Sequence, residues 1–483
     1  MKRILAFYIA LFVAMLLVLG GCGGSNDGTD SGTIDTGTGT VPDTGSGTII
    51  DVPTISAPVG ELGDLTDMGD LLGSAGDNWY YTKTIAINDA GQIVGQSNAG
   101  IPVKAAFLWD PVGGMTLIPM HLGYFDDYYG GAGQTRFIYS EPVDINNSGV
   151  VIGHSTTGTG WPEENEKRGF AYDSATDTFV DLAPVTWDTD VEAWTLDKSY
   201  SEVVDINDKG EVILTVDDAE GTHAYYWDGI TMVTPGAPVS GDVPGLFRLG
   251  GIIGQNSEAV AINEIDQVVV NSGGTAVFID LAVGVIESLN HLPGQTSTVA
   301  VDINNTVTVP LDRGHVVGNS GNKAFFWDGG AMKVVGDLGG GFSEAIDLND
   351  RDQLVGNSKT SSGATHAFLW ALNAEKEGVM RDLGTLGGSN SYATGINDAG
   401  QIVGYSETGE VHPETGEKII HAFLWDDGVM YDLGTHSDFY DYAFLFPYPF
   451  SEAIAINAHG QVAGNSCTIN AHCRGFYLNP TFP

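Results

Sequence analysis

The chain is short of positive charge. Its 483 residues carry 19 Lys and Arg against 62 Asp and Glu, a formal charge of −43. Phosphate backbones are held by clustered Lys and Arg, so this balance argues against nucleic acid as a partner. It argues equally against adsorption to anionic lipid through a basic surface. Cationic partners, a divalent ion or plain solubility remain open. Cysteine is scarce, at three residues, and proline is modest at 19. No Gly-X-Y period accompanies the 67 glycines, so a collagen-like rod is excluded. No His-Glu-x-x-His, Gly-x-Ser-x-Gly or Walker-type motif appears, and no catalytic residue is nominated.

What is present is 42% hydrophobic residues with 10% aromatics, enough for a large core. Frequent glycine between short apolar runs points to many strands joined by tight turns.

The N-terminus has its own logic. Lys2 and Arg3 precede an unbroken apolar run of 16 residues, Ile4 to Leu19. That is short of the ~20 residues a spanning helix needs and suits a signal-peptide core. Leu19-Gly20-Gly21-Cys22 then resembles the lipobox of bacterial lipoproteins. The resemblance implies a signal peptide over 1–21, with Cys22 as lipidated first residue of the mature chain. Gly23, where an Asp would imply inner-membrane retention, favours the outer membrane or cell surface by the same resemblance. The only membrane contact expected is this anchor. Residues 22–58 are rich in Gly, Thr, Ser and Asp and read as a flexible tether.

The nonapeptide INDAGQIVG stands at 87–95 and again at 396–404. It belongs to a longer unit whose Ile/Leu-Asn anchor recurs eight times, at Asn88, Asn146, Asn207, Asn263, Asn304, Asn349, Asn397 and Asn457. The spacing runs from 41 to 61 residues, too uneven for a regular solenoid. Each anchor is followed by an apolar signature such as HAFLW (366–370 and 421–425) or AVFID (276–280), and then by one such as MRDLGTLGG (380–388). These units resemble the HAF family of extracellular repeats, which has no settled activity. The resemblance supports fold and location.

Each unit reads as four short strands, a to d. The Asn-Asp-Ala-Gly turn joins a to b, and its Asn and Gly are read as turn chemistry. Strands apolar on successive positions need cover on both faces, which radially stacked blades supply. The expected fold over 59–483 is therefore an all-β propeller of eight four-stranded blades. Seven is the alternative, should the worn fourth repeat not form its own blade. The last repeat stops at strand c, while ELGDLTDMGDLLG (61–73) resembles a lone strand d. The N-terminal segment is thus expected to close the last blade. A monomer is expected.

The d–a and b–c connections are the long ones, and in an up-and-down blade both emerge on one face. Long d–a candidates are 121–140, 183–200, 235–257 and 434–451. Loops on a rigid scaffold carry function, so a ligand site is placed there. The candidate surface is Tyr124, Phe125, Asp126, Asp127, Tyr128, Tyr129, Trp187, Trp194, Phe439, Tyr440 and Tyr442. Aromatics beside carboxylates suit an envelope protein or a glycan. Paired loop carboxylates leave a glycosidase or lyase as an alternative, and a scaffold subunit of an envelope complex as another.

No cofactor is expected. Asp205, Asn207 and Asp208 superficially resemble a calcium loop, but Lys209 stands where a ligand belongs, so calcium stays only as an option of the acidic composition. His223, His366 and His421 share one repeat position in separate blades and cannot share a metal. Cys467 and Cys473, after an export signal, are expected to form a local disulfide.

Overall fold

The computed structural model describes residues 47–50, 55–57, 62, 65–71, 81–98, 104–118, 139–157, 166–182, 185–188, 193–196, 200–218, 221–229, 246–249, 256–306, 313–411, 416, 418–435, 449–468 and 473–481. All belong to one compact unit, Gly45–Pro483. The expected signal peptide and Cys22 lie outside them.

The described residues form eight four-stranded antiparallel blades and no helix. The blade at 387–434 shows why this sequence makes one. Its strands are Gly387–Ile396, Ile402–Val411, Lys418–Asp426 and Val429–Gly434. Between a and b, Asn397 Oδ1 accepts the Gln401 N–H and Gly400 turns the chain at φ +87°. A β-carbon on Gly404 of strand b would lie 2.0 Å from the Tyr392 carbonyl and 2.8 Å from the Phe423 ring. The glycine therefore makes the slot into which the Phe of His-Ala-Phe lies flat.

The ring closes. Strand a of each blade, such as Thr82–Ile87 or Pro449–Ile456, touches strand a of both neighbours, the last blade meeting the first. Strand a is thus innermost. The last blade lacks a strand d of its own and takes Thr66–Asp67, with Thr66 opposite Tyr477 and Asp67 opposite Phe476. Arg474 ion-pairs with Asp67 across that seam. Met68, Ile93, Phe107, Trp109, Ala463 and Tyr477 pack as one buried cluster between last and first blades. At about 1.5–3 kcal/mol per large apolar side chain, burial of these residues holds the seam.

The fourth repeat forms its own blade, Ser257–Ile262, Gln267–Ser272, Thr275–Asp280 and Val285–Ser288, which removes the seven-blade alternative. Here the glycine slot is absent. Val270 faces Val277 where Gly404 faces Phe423, a volume-conserving exchange. That register also corrects the placement of AVFID. Thr275-Ala276-Val277 is the counterpart of His366-Ala367-Phe368, because Leu289 N–H bonds the Ala276 carbonyl as Leu383 N–H bonds that of Ala367. Two adjacent apolar residues, Val277 and Phe278, hid the one-residue slip.

Three further features stand out. Gly47–Ile50 and Ile55–Ala57, inside the expected tether, run parallel to Gly378–Asp382 and Val429–Gly434 as fifth strands. β-branched Ile49, Ile50 and Ile55 favour such extended pairing. Cys467 and Cys473 are bonded, directly opposite across a b–c hairpin. Strand d of the third blade is Leu246–Arg248, so 235–245 of the expected d–a connection falls between c and d, and 249–256 remains between d and a. The apolar pair Met232-Val233 imitates a strand d in the sequence.

Candidate functional site

Strand ends sort the surface into two faces. One carries the a–b turns. The other carries the b–c and d–a connections. The expected aromatic surface belongs to the latter connections. Tyr124, Phe125, Asp126, Asp127, Tyr128, Tyr129, Phe439, Tyr440 and Tyr442 lie outside the described residues. Trp187 and Trp194 are directly opposed in a hairpin, Val185–Asp188 with Ala193–Leu196, so one long d–a connection is itself structured.

The channel walls are built from strand a, and the anchors do more there than turn the chain. Asn88 Nδ2 donates to the carbonyl of Asn146 at 3.0 Å, and Asn146 to Asn207 at 3.0 Å. The relay continues through Asn263, Asn304, Asn349, Asn397 and Asn457, whose Nδ2 returns to the Asn88 carbonyl at 2.9 Å. Eight buried amides thus form one closed circuit. Asp offers the same turn but has no N–H to pass on. That every anchor is Asn was the available signal for a circuit, and a reading as turn chemistry alone misses it.

The residues after the anchors form a collar at this mouth: Asp89, Asn147, Asp208, Glu264, Asn305, Asp350, Asp398 and Ala458. A cavity of about 320 Å³ opens among them, lined by all but Glu264 and Asn305. Each acidic side chain accepts the backbone N–H of the preceding collar residue, as Asp350 Oδ1 does from Asn305 at 2.7 Å. Asn147 bridges Asp89 and Asp208, at 3.0 and 2.9 Å, and so separates two carboxylates. Burial raises the Glu264 carboxyl above its ordinary value.

A second tier lies five residues before each anchor, near the opposite end of strand a. It comprises Lys83, Glu141, Glu202, Glu258, Val299, Glu344, Tyr392 and Glu452. Burial pushes Glu452 up to about 7, against the attraction of Lys83 and a hydrogen bond from Asn465. Burial raises Glu344 too. Opposite Glu141, His154 is buried, and burial pushes it down to about 3, so it is neutral; its Nε2 has no hydrogen-bond partner among the described residues. Tyr139 donates to Glu141 at 2.9 Å. These titratable groups are a feature the sequence reading missed, although Ser-Glu recurs five times at this spacing, from Ser140-Glu141 to Ser451-Glu452. The serines face the adjoining blade: Ser343 Oγ accepts the Ala324 N–H, and Ser451 Oγ that of Ala422.

The histidines find a structural explanation. His366 Nδ1 meets Asp382 at 2.9 Å, and His421 Nδ1 meets Asp432 at 2.9 Å. Arg168–Asp181 and Arg474–Asp67 repeat the pairing, whereas in the fifth blade Val334 holds the equivalent position and Lys323 pairs with Asp337 just beyond strand d. His-Ala-Phe and Asp-Leu-Gly are thus two halves of one c–d tie. The same Asp caps its turn by accepting the Gly N–H, as Asp432 does from Gly434 at 2.8 Å. Among the described residues no group of three or more His, Cys, Asp or Glu is arranged to hold a metal ion.

Comparison with known proteins adds the following. No curated protein matches the sequence. Among solved structures, acylaminoacyl peptidase of Pyrococcus horikoshii aligns at TM-score 0.42 and 12% identity, over 81% of this chain and 58% of its own. Dipeptidyl peptidase 4 of Porphyromonas gingivalis aligns at TM-score 0.38 and 10% identity, over 80% of this chain and 56% of its own. The chain spans little more than half the length of either peptidase, and at these scores neither carries an argument about activity. A family model described as "Protein of unknown function (DUF3466)" matches residues 72–234 and 331–433. Those segments exceed half of the sequence, and the chain belongs to that family.

Proposed function

We propose that the protein is a lipid-anchored binding propeller of the bacterial envelope, taking a protein or glycan ligand on the face of the d–a and b–c connections. The observation that carries this reading is the division of the two faces. The anchor face is tied together by a hydrogen-bonded circuit and collar around its cavity, whereas the other face carries the b–c and d–a connections and the Glu, Tyr and Lys tier. A rigid ring presenting variable connections on one side is suited to recognition. Cys22 supplies the anchor and residues 23–46 the spacer. Two assays test this. The unit 45–483 is screened against glycans and envelope-protein extracts, with a specific, saturable ligand expected. Cys22→Ser is expected to move the protein from the membrane to the soluble fraction. A wild-type protein already soluble after export, or a unit that captures nothing, contradicts the proposal.

One observation favours a second reading, a carbohydrate-active enzyme. Glu452, held near pH 7, has the protonation a general acid needs. Hydrolysis or elimination of a polysaccharide that is lost in Glu452→Gln supports it. Binding retained in that variant without any turnover supports the first reading.

A further inference from the structure

The eight blades serve as controls for one another, and one of them is built differently on the ligand face. At the start of strand c and the end of strand d, four blades carry the ion pairs just described, and in the fifth, where Val334 ends strand d, Lys323 reaches Asp337 beyond it. The third blade fills the same place with His223 and Arg248, 2.6 Å apart. The first fills it with Ala105 and Leu117. In the fourth blade the two positions are Thr275 and Ser288, both small and uncharged. A cavity of about 450 Å³ stands there, lined by Ser272, Thr275, Val277, Ile286, Ser288, Leu289, Asn290 and His291. That volume lies within the range of about 300–1,000 Å³ typical of small-molecule pockets.

The chemistry of the lining is specific. In a chain of net charge −43, it contains no acid, Lys or Arg. The side chains of Thr275, Ser288 and Asn290 make no hydrogen bond among the described residues. His291 is oriented by Thr298, with Nδ1 2.9 Å from its hydroxyl oxygen. Thr298 Oγ1 also lies within hydrogen-bond reach of Ser320 Oγ at 3.1 Å and of the Asn290 carbonyl at 3.3 Å, which fixes the side of the ring that His291 turns to it. Two hydroxyls, an amide and an imidazole thus offer both donors and acceptors, while Val277, Ile286 and Leu289 give an apolar floor. An ammonium or guanidinium group finds no carboxylate here, and an anion finds no cation in a strongly negative protein. A ligand with hydroxyls on its edge and C–H groups on its face matches both.

We propose that this cavity is a subsite for a neutral saccharide unit. Ser272 and Thr275 flank the b–c turn, and Leu289 to His291 open a d–a connection, so the subsite lies on the face assigned to binding. It rests on that reading and narrows the ligand to a neutral glycan at this blade. The lining lacks an aromatic platform, so a single sugar binds weakly and a longer glycan gains by reaching other parts of the face.

The test uses the whole unit 45–483 and four probes: glucose, galactose, mannose and N-acetylglucosamine. Saturation-transfer NMR is expected to show contact with at least one of them. Thr275→His with Ser288→Asp installs the tie that other blades already accommodate, and is expected to fold normally and abolish the transfer. Ser288→Ala with Asn290→Ala removes polar groups without filling the space and is expected to weaken it. Transfer unchanged in both variants overturns the subsite and leaves the binding face standing. No transfer to any probe from the wild type overturns the subsite, and failure of the glycan and envelope-protein screen as well takes the binding reading with it.

Discussion

Replacing Asn349 by Asp separates the two roles available to the anchors. Asn349 Oδ1 accepts the N–H groups of Arg351 and Gln353, both at 3.0 Å. Its Nδ2 donates to the Asn397 carbonyl at 2.9 Å and to Gln353 Oε1 at 2.8 Å. Asp keeps the first pair of bonds, and in isolated turns Asp serves as well as Asn. A turn-only role therefore makes Asn349→Asp nearly neutral. The circuit makes it costly. Two donated bonds, at about 1 kcal/mol each, disappear, and a buried carboxylate oxygen then faces two acceptor oxygens it cannot satisfy, adding about 1–3 kcal/mol. The expected loss is about 3–5 kcal/mol at pH 7, read from urea unfolding monitored by tryptophan fluorescence. The new carboxyl has its folded pKa raised by burial and facing oxygens, so protonation restores one donor and the loss shrinks as pH falls toward 4. A variant within about 0.5 kcal/mol of wild type at pH 7, the scatter of a surface change, refutes the circuit as a source of stability.

The remaining predictions concern packing and titration. Gly404→Val drives a side chain into the Tyr392 carbonyl and the Phe423 ring and is expected to cost about 3 kcal/mol or more, while Gly404→Val with Phe423→Val relieves the ring clash and leaves that with the carbonyl, so it recovers part of the loss. A double variant no better than the single one contradicts that account. Glu452 has its folded pKa raised to about 7 from 4.5, so its contribution is complete below pH 4.5 and is lost as pH rises to 7. Glu452→Gln removes this slope and is expected to gain stability relative to wild type at pH 8, by about 3 kcal/mol at most. Equal pH dependence in both proteins, measured by thermal unfolding from pH 4.5 to 8, counts against a buried acid at this position.

The repeats made the architecture readable because each blade needs the same local pieces. An Asn-initiated turn, a slot-forming Gly and an apolar strand c appear eight times with few losses, and a missing strand d at one end matches a lone one at the other. Contacts between blades were harder to see. Asn397 and Asn457 are 60 residues apart, and nothing in a single copy says that one amide reaches the next backbone. The pairing of His421 with Asp432 was equally hidden, since each motif looked complete by itself. The fourth repeat misled by one residue because Val277 and Phe278 are both apolar and strand patterns have a period of two. The candidate site was legible only at the level of faces. Strand connectivity gives the side of the ring, but the Ser272–His291 cavity arises from what two positions lack relative to seven other blades, a comparison that requires the correct register first.

The central claim is a ring of eight blades closed by its own N-terminal segment, and amide hydrogen exchange tests it directly. A chain starting at residue 72 lacks Thr66–Asp67 and the seam contacts of Leu62 and Met68, which a chain starting at residue 45 retains. Faster exchange on removal is expected in Pro449–Ile456, Cys473–Leu478 and Thr82–Ile87, with Ser257–Ile262 and Thr298–Ile303 on the far side least affected. Unchanged exchange at 449–478 and 82–87 would show that the two ends of the chain do not meet.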